Sequence, residues 1–337
     1  MEIEDFKCLF ATSGFTVGQE TTDRETCENW DDSMSNARGF LIAHCGMKDL
    51  TSQINLKEAT EFPVFISGFA NIYRAQMHTG PQVAIKAYRK LRELSALTSG
   101  WRIICNAHKW SKCRHHYINE VLGFTMFHDD IGLVSYWSTY GAVPDYLQKT
   151  PNADRLHLCT QICEGVSYLH QVGIVHGDIK GFNVLVMEGG NAKLIDFDDA
   201  VLEDHSSGFT IKEGVPGISI RWAAPELLMD LEGDSDDDQE DDLNNPVKKT
   251  RASDVYALGM TILEVTSGKL PWGNSTDSAI MRKICQGKIP DRPKEILEKG
   301  GENLWKLLIE CWCPDPEGRP NAGTVLDVNI DELSAVG

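Results

Sequence analysis

The octet H-G-D-I-K-G-F-N at residues 176–183 does most to narrow what this chain can become. It gathers an imidazole, a carboxylate, an ammonium and an amide into eight residues, and such a group keeps one geometry only if both of its ends are anchored. Upstream, residues 152–171 place Leu158, Ile162, Val166 and Leu169 at helical spacing, and Gly173 can cap that helix. Downstream, strand-like residues 184–187 and 192–195 flank Gly189 and Gly190, a hairpin signal. The octet therefore reads as a loop held between a helix and a hairpin, a place where a catalytic loop can be rigid.

The two flanks of this loop differ. Before it, short β-rich stretches are expected at 64–66, 72–75, 83–87, 118–124 and 132–136, with one helix between Lys90 and Arg114 that Gly100 should break. After residue 142 helices take over. Ser253 is the expected N-cap of an apolar helix over 255–266 that ends at Gly268; Ser275 or Thr276 starts another, and 303–312 is amphipathic. Strands first and helices after predict an α+β chain of two lobes. The N-lobe is placed at about 50–136 and the C-lobe at about 141–330, with a hinge near Tyr136–Tyr140.

The formal net charge of −18 excludes little about that body. Residues 1–50 carry −6 and residues 230–242 carry −9 with no base, so the rest is nearly neutral at −3. Residues 1–49 are read as a loosely structured acidic extension, and 230–246 as a solvated acidic insert with Pro246 near its end. The balance argues against a nucleic-acid partner, which needs a basic face, and against a membrane surface. No run of apolar residues is long enough to span a bilayer, and the acidic N-terminus does not fit a signal peptide. The ten cysteines show no repeated C-x-x-C framework and are read as reduced thiols of a cytoplasmic protein.

Four further motifs stand in order around the octet: V-A-I-K at 83–86, D-F-D at 196–198, A-P-E at 224–226, and C-W-C-P-D-P-E-G-R-P at 311–320. With them the chain resembles the protein kinases over roughly residues 50–325. The last motif, with Arg221-Trp222, resembles their tyrosine-kinase-like group of Ser/Thr kinases. The resemblance implies a bilobal kinase-like fold and the cofactors ATP and Mg²⁺, with Mn²⁺ as an alternative metal. Asp178 would accept or orient the substrate hydroxyl proton, Lys180 would neutralise the γ-phosphate, and Asn183 and Asp196 would bind the metal. Lys86 would hold the α/β-phosphates, Ser67, Gly68 and Ala70 would lie in the phosphate-covering loop, and the backbone of Tyr136 and Ser138 would read adenine. The structural roles fall to His176 packing on Phe197, Ser219 bridging Asp178 and Lys180, Asp254 binding the loop backbone, and Glu226 pairing with Arg319.

The departures are as informative. Phe65, Ser67 and Ala70 stand where the family has three glycines, whose backbone approaches phosphate closely. The helix glutamate that pairs with the strand lysine falls on Asn106, which can hydrogen-bond Lys86 but cannot form the ion pair; Glu93 is the other candidate partner. Asp198 replaces a glycine beside the metals, which raises altered metal preference as a hypothesis. Gly177 replaces the arginine with which many kinases clamp a phosphorylated loop, so that route of activation is disfavoured. Two functions remain in view: a Ser/Thr kinase acting on a protein substrate or signalling partner, and a pseudokinase serving as a nucleotide-binding or scaffolding module. The phosphotransfer residues favour the first.

Overall fold

The computed structural model describes residues 30–67, 70–89, 96–128, 130–203, 218–229, 248–297 and 301–327. Gly68, Glu93, the loop hydroxyls Ser206, Ser207 and Thr210, and the acidic insert lie outside these residues.

The first half is an antiparallel sheet. Its strands are β1 (Ile54–Asn55), β2 (Phe65–Ile66), β3 (Ala70–Met77), β4 (Gln82–Tyr88), β5 (Val121–Phe127) and β6 (Asp130–Tyr136), in the order β1-β3-β4-β6-β5 with β2 on β3. Side-chain alternation gives the sheet two apolar faces. Val83 and Ile85 of β4 pack with Ile54, Tyr73, Phe127 and Val134 on one face. Tyr88 of β4, Ile131 and Leu133 of β6, and Phe124 of β5 join the main core on the other. Lys86 shares the face of Tyr88 because the two are separated by one residue.

That second face receives two helices, α1 (Trp30–Ala43) and α2 (Ala96–Ser111). Helix α2 runs straight through Gly100, against the expected break; burial of Ile103, Ile104 and Ala107 outweighs the cost of one helical glycine, about 1 kcal/mol. Residues 1–29 lie outside the described residues, and helix α1 corrects the expectation of a loosely structured segment over 1–49 for its own residues 30–43. Its Ala37, Phe40 and Leu41 are buried in the same cluster as α2. The strand-like residues after it continue the attachment: Leu50 N–H donates to Phe124 O (2.8 Å) and Phe124 N–H to Lys48 O (3.0 Å).

The second half is helical: α3 (Val143–Lys149), α4 (Arg155–Gln171), α5 (Pro225–Met229), α6 (Arg251–Ser267), α7 (Asp277–Cys285), α8 (Lys294–Leu297), α9 (Glu302–Cys311) and α10 (Ala322–Asp327). Short strands β7 (Ile174–Val175), β8 (Val184–Val186), β9 (Ala192–Leu194) and β10 (Val201–Leu202) pair as β8-β9 and β7-β10. The β8-β9 turn uses positive φ at Gly189 (87°) and Gly190 (82°), as its sequence requires. The expected α+β order of sheet first and helices second is the one observed.

Helix α6 is apolar on nearly every side and is buried along almost its whole length, so it forms the axis of this half. Its N-cap is Thr250, not Ser253. The two hydroxyls form a reciprocal capping box in which Ser253 sits at the third helical position. The cap shift adds one turn to the helix start and leaves Asp254 buried.

Because Leu41 of α1 is fully buried in the main core, Leu41→Ala should destabilise the protein by about 2–5 kcal/mol. Urea denaturation of the two proteins measures the change, and a loss near zero would mean that α1 is not part of the core in solution.

Candidate active site

Asp254, at 1 % exposure, fixes the loop that carries the octet. Its Oδ2 accepts the His176 N–H (2.7 Å) and lies 3.0 Å from His170 Nε2, while its Oδ1 accepts the Gly177 N–H (2.8 Å). Backbone donors on a buried carboxylate satisfy it and hold the loop rigidly. His176 is itself fully buried, its Nε2 3.0 Å from Ile195 O and its ring 5.3 Å from that of Phe197.

From this anchored backbone the polar side chains converge. Lys180 Nζ donates to Asp178 Oδ2 (2.7 Å) and to Ser219 Oγ (2.8 Å), and the Ser219 hydroxyl donates to Asp178 Oδ1 (2.8 Å). Asn183 Nδ2 donates to Asp178 Oδ2 and to Asp178 O, both at 2.8 Å. Asp178 therefore sits in a closed set of three donors drawn from the loop and from residue 219. Its Oδ1 accepts only one of them, which leaves a lone pair for a further hydroxyl.

Across the cleft, Lys86 donates to Asp196 Oδ1 (2.6 Å) and to Asp198 Oδ1 (2.7 Å). Burial opposes its charge, yet the two carboxylates lift Lys86 well above its ordinary value. The carboxylates differ. Burial raises both, but the attraction of Lys86 wins at Asp196 and holds it below the usual range. At Asp198 burial wins, helped by repulsion from Asp196, and its value is raised. Asp198 Oδ1 also accepts the Tyr88 hydroxyl (2.9 Å) and Asn106 Nδ2 (2.9 Å). Asn106 thus reaches Asp198 where a bond to Lys86 was the expectation. Three donors therefore converge on the single oxygen Asp198 Oδ1.

At the sheet edge, Ser67 closes a tight turn: its hydroxyl donates to Ala70 O (3.1 Å) and accepts the Ala70 N–H (3.0 Å). Tyr136 ends β6, and its carbonyl accepts Asn119 Nδ2 (3.3 Å). The Ser138 hydroxyl donates to Val186 O (2.6 Å), bracing the connection between the two halves. In the segment after the loop, Arg319 Nη1 and Nη2 each donate to Glu226 at 2.7 Å, a two-pronged pair.

Several participants carry no motif. Lys249 has its stem over Gly177, where an added Cβ would lie 2.6 Å from its Cδ, and its ammonium pairs with Asp199 at 3.2 Å. Gly177 also has φ 78°. Lys109 of α2 donates to Ala200 O (2.9 Å), and Trp110 stacks on Phe197 at 6.0 Å. Glu264 of α6 accepts the Gly181 N–H (3.0 Å) and Trp222 Nε1–H (3.0 Å). Only the apolar run of α6 interrupted by an acid could have drawn attention to Glu264 beforehand.

This combination, a β-rich half with an internal lysine against a helical half with an anchored acid–lysine–asparagine loop, defines a protein kinase domain. The profile of the protein tyrosine and serine/threonine kinase family matches residues 66–328, and the chain belongs to that family. Among its relatives, the mitogen-activated protein kinase kinase kinase YODA of Arabidopsis thaliana is 32% identical over 64% of this chain. Serine/threonine-protein kinase STY17 of the same plant is 27% identical over 67%, and Kinase suppressor of Ras A of Caenorhabditis elegans is 28% identical over 88%. The matches take in 22%, 36% and 38% of those three proteins, so the chain spans well under half the length of each. Such relatives fit the tyrosine-kinase-like group. No helix among the described residues is long and apolar enough to cross a membrane.

Burial raises Glu264 from its ordinary value of 4.5 to about 7, only partly offset by its two donors. Between those values the folded protein keeps a proton that the unfolded chain releases. Stability therefore falls as pH rises through that window, by about 3 kcal/mol in full. Glu264→Gln keeps an acceptor for both donors and should remove this part of the slope. Denaturant unfolding of both proteins at about pH 5 and about pH 7.5 tests it; equal slopes would show Glu264 ionised throughout.

Proposed function

We propose that the chain is an ATP-dependent protein kinase that transfers the γ-phosphate of ATP to Ser/Thr hydroxyls of a protein substrate. The observation that supports this best is the closed arrangement of Asp178, Ser219, Lys180 and Asn183. It presents one acceptor position on a fixed carboxylate, with an ammonium beside it.

The roles follow from the chemistry of phosphoryl transfer, in which positioning and charge stabilisation dominate. Asp178 Oδ1 orients the acceptor hydroxyl and takes its proton as the new O–P bond forms and the bond from the γ-phosphorus to the bridging oxygen of ADP breaks. Lys180 offsets negative charge on the phosphoryl oxygens, and Ser219 keeps Asp178 and Lys180 at hydrogen-bond distance. Lys86 holds the α/β-phosphates, and the backbone of Tyr136 and Ser138 reads adenine. The donor set fits Mg²⁺: Asp196 supplies a carboxylate, and Asn183, its Nδ2 committed to Asp178, turns its amide oxygen elsewhere. When bound there, the metal supplies positive charge against the phosphates.

One observation favours the second reading, a pseudokinase acting as a nucleotide-binding or scaffolding module. The Ser67 N–H is bonded to Ala70 O (2.8 Å) and the Ala70 N–H to Ser67 Oγ, so the amides of Ser67 and Ala70 are spent on each other. A loop that covers phosphate with free amides would have them available.

Incubation with Mg²⁺ and γ-labelled ATP, followed by phosphoamino-acid analysis, separates the two. Transfer to Ser or Thr is expected, falling by about 10²–10⁴-fold in Asp178→Ala. A nucleotide-induced rise in melting temperature without transfer would establish the pseudokinase. Transfer that survives Asp178→Ala would remove the site assignment.

A further inference from the structure

The lysine of a kinase-like strand needs a counter-ion that stays with it when the metal arrives. In this chain helix α2 offers a neutral amide at that position, Asn106. We propose that Asp198 is the counter-ion that positions Lys86, and that Asn106 has become the neutral donor that orients Asp198. The anionic half of the pair has then moved from the helix to the segment after Phe197. This rests on the reading of Lys86 as the phosphate-holding group.

The geometry carries the exchange. Asp198 is nearly buried, and its Oδ1 accepts Lys86 Nζ, the Tyr88 hydroxyl and Asn106 Nδ2 at 2.7, 2.9 and 2.9 Å. Two neutral donors fix the carboxylate and one ammonium matches its charge. A glutamate at position 106 would bring a second carboxylate against that same oxygen, a like-charge contact in a buried place. A glycine at 198 would leave Lys86 with Asp196 alone. Asp196 is the residue whose charge a metal would claim, so lysine and metal would then compete for one carboxylate. With Asp198 present, Lys86 keeps an anion of its own. The identities at 106 and 198 are therefore mutually dependent: amide with acid, or acid with glycine.

The same arrangement ties α2 to the segment it faces. Lys109 holds Ala200 O, Trp110 stacks on Phe197, and Asn106 holds Asp198, so one face of the helix engages residues 197–200.

The test is a charge exchange. Calorimetry with Mg²⁺ and a non-hydrolysable ATP analogue gives nucleotide affinity for the wild type, Asp198→Gly, Asp198→Asn, Asn106→Glu and the double variant Asn106→Glu/Asp198→Gly. Each single variant should bind about 10-fold more weakly or worse, the scale of one lost charge-assisted bond. The double variant should return to within about 3-fold of wild type, since the pair is restored with its carboxylate on the helix. Circular dichroism and melting temperature show whether each variant is folded, and rescue by the double variant distinguishes positioning from general damage. Undiminished binding in Asp198→Gly, or a double variant whose loss is the product of the single losses, would overturn the proposal. Wild-type binding without phosphotransfer would sink the enzymatic reading alone and leave the affinity ratios to decide this one. Failure of the wild type to bind nucleotide would overturn both.

Discussion

A single buried carboxylate, Asp254, anchors the loop that carries residues 176–183. It lies near the start of α6, the helix around which the C-terminal half is packed, and receives two successive backbone amides of the loop at His176 and Gly177. An ionised carboxylate removed from water costs several kcal/mol unless its lone pairs are met. Here the loop meets them, so the loop conformation and the solvation of Asp254 are one condition. Everything downstream inherits that fixed start: the triangle of Asp178, Lys180 and Ser219, the bond from Asn183, and the packing of His176 beneath Phe197.

The second organising centre is electrostatic and sits on the opposite wall. Lys86 gathers Asp196 and Asp198, and through Asp198 it gathers Tyr88 and Asn106 as well. Helix α2 therefore bonds to the far side of the cleft through side chains that the strand lysine also uses. Helix α1 rests on α2 from outside, through Phe40 and Leu41 in the shared core.

The sequence disclosed most where chemistry is local. Each of the runs 176–183, 196–198 and 224–226 is contiguous, and their identities indicate the loop, the triplet after the hairpin and the segment beyond it without knowledge of contacts. It disclosed least where a role depends on distant neighbours. Lys249 is an ordinary lysine until it is found across Gly177 and against Asp199. Tyr88 and Lys109 become meaningful only when their strand and helix face the same segment. The N-cap of α6 was misplaced by one turn because Thr250 and Ser253 are both hydroxyls and each bonds the other's amide, so local chemistry does not rank them. Helix α1 is hard to read because its apolar residues are interspersed with Ser33, Ser35, Asn36, Arg38 and Gly39, and its packing partner α2 lies more than fifty residues along the chain.

The pair of Arg319 with Glu226 has a consequence for how such a molecule is made. The guanidinium is fully buried, and besides Glu226 it bonds Ala252 O and Cys313 O and lies over the ring of Tyr256. Its partner is 93 residues earlier in the chain. On a ribosome, the segment around Glu226 emerges long before the arginine that secures it, and during that interval its carboxylate has only water for company. The pair acts as a clasp fastened late in the synthesis of the domain, whose match ends at residue 328. Nascent chains that stop short of residue 319 can build the sheet and the loop anchor, yet they leave the segment after the loop unfastened, which ties completion of this segment to completion of the domain.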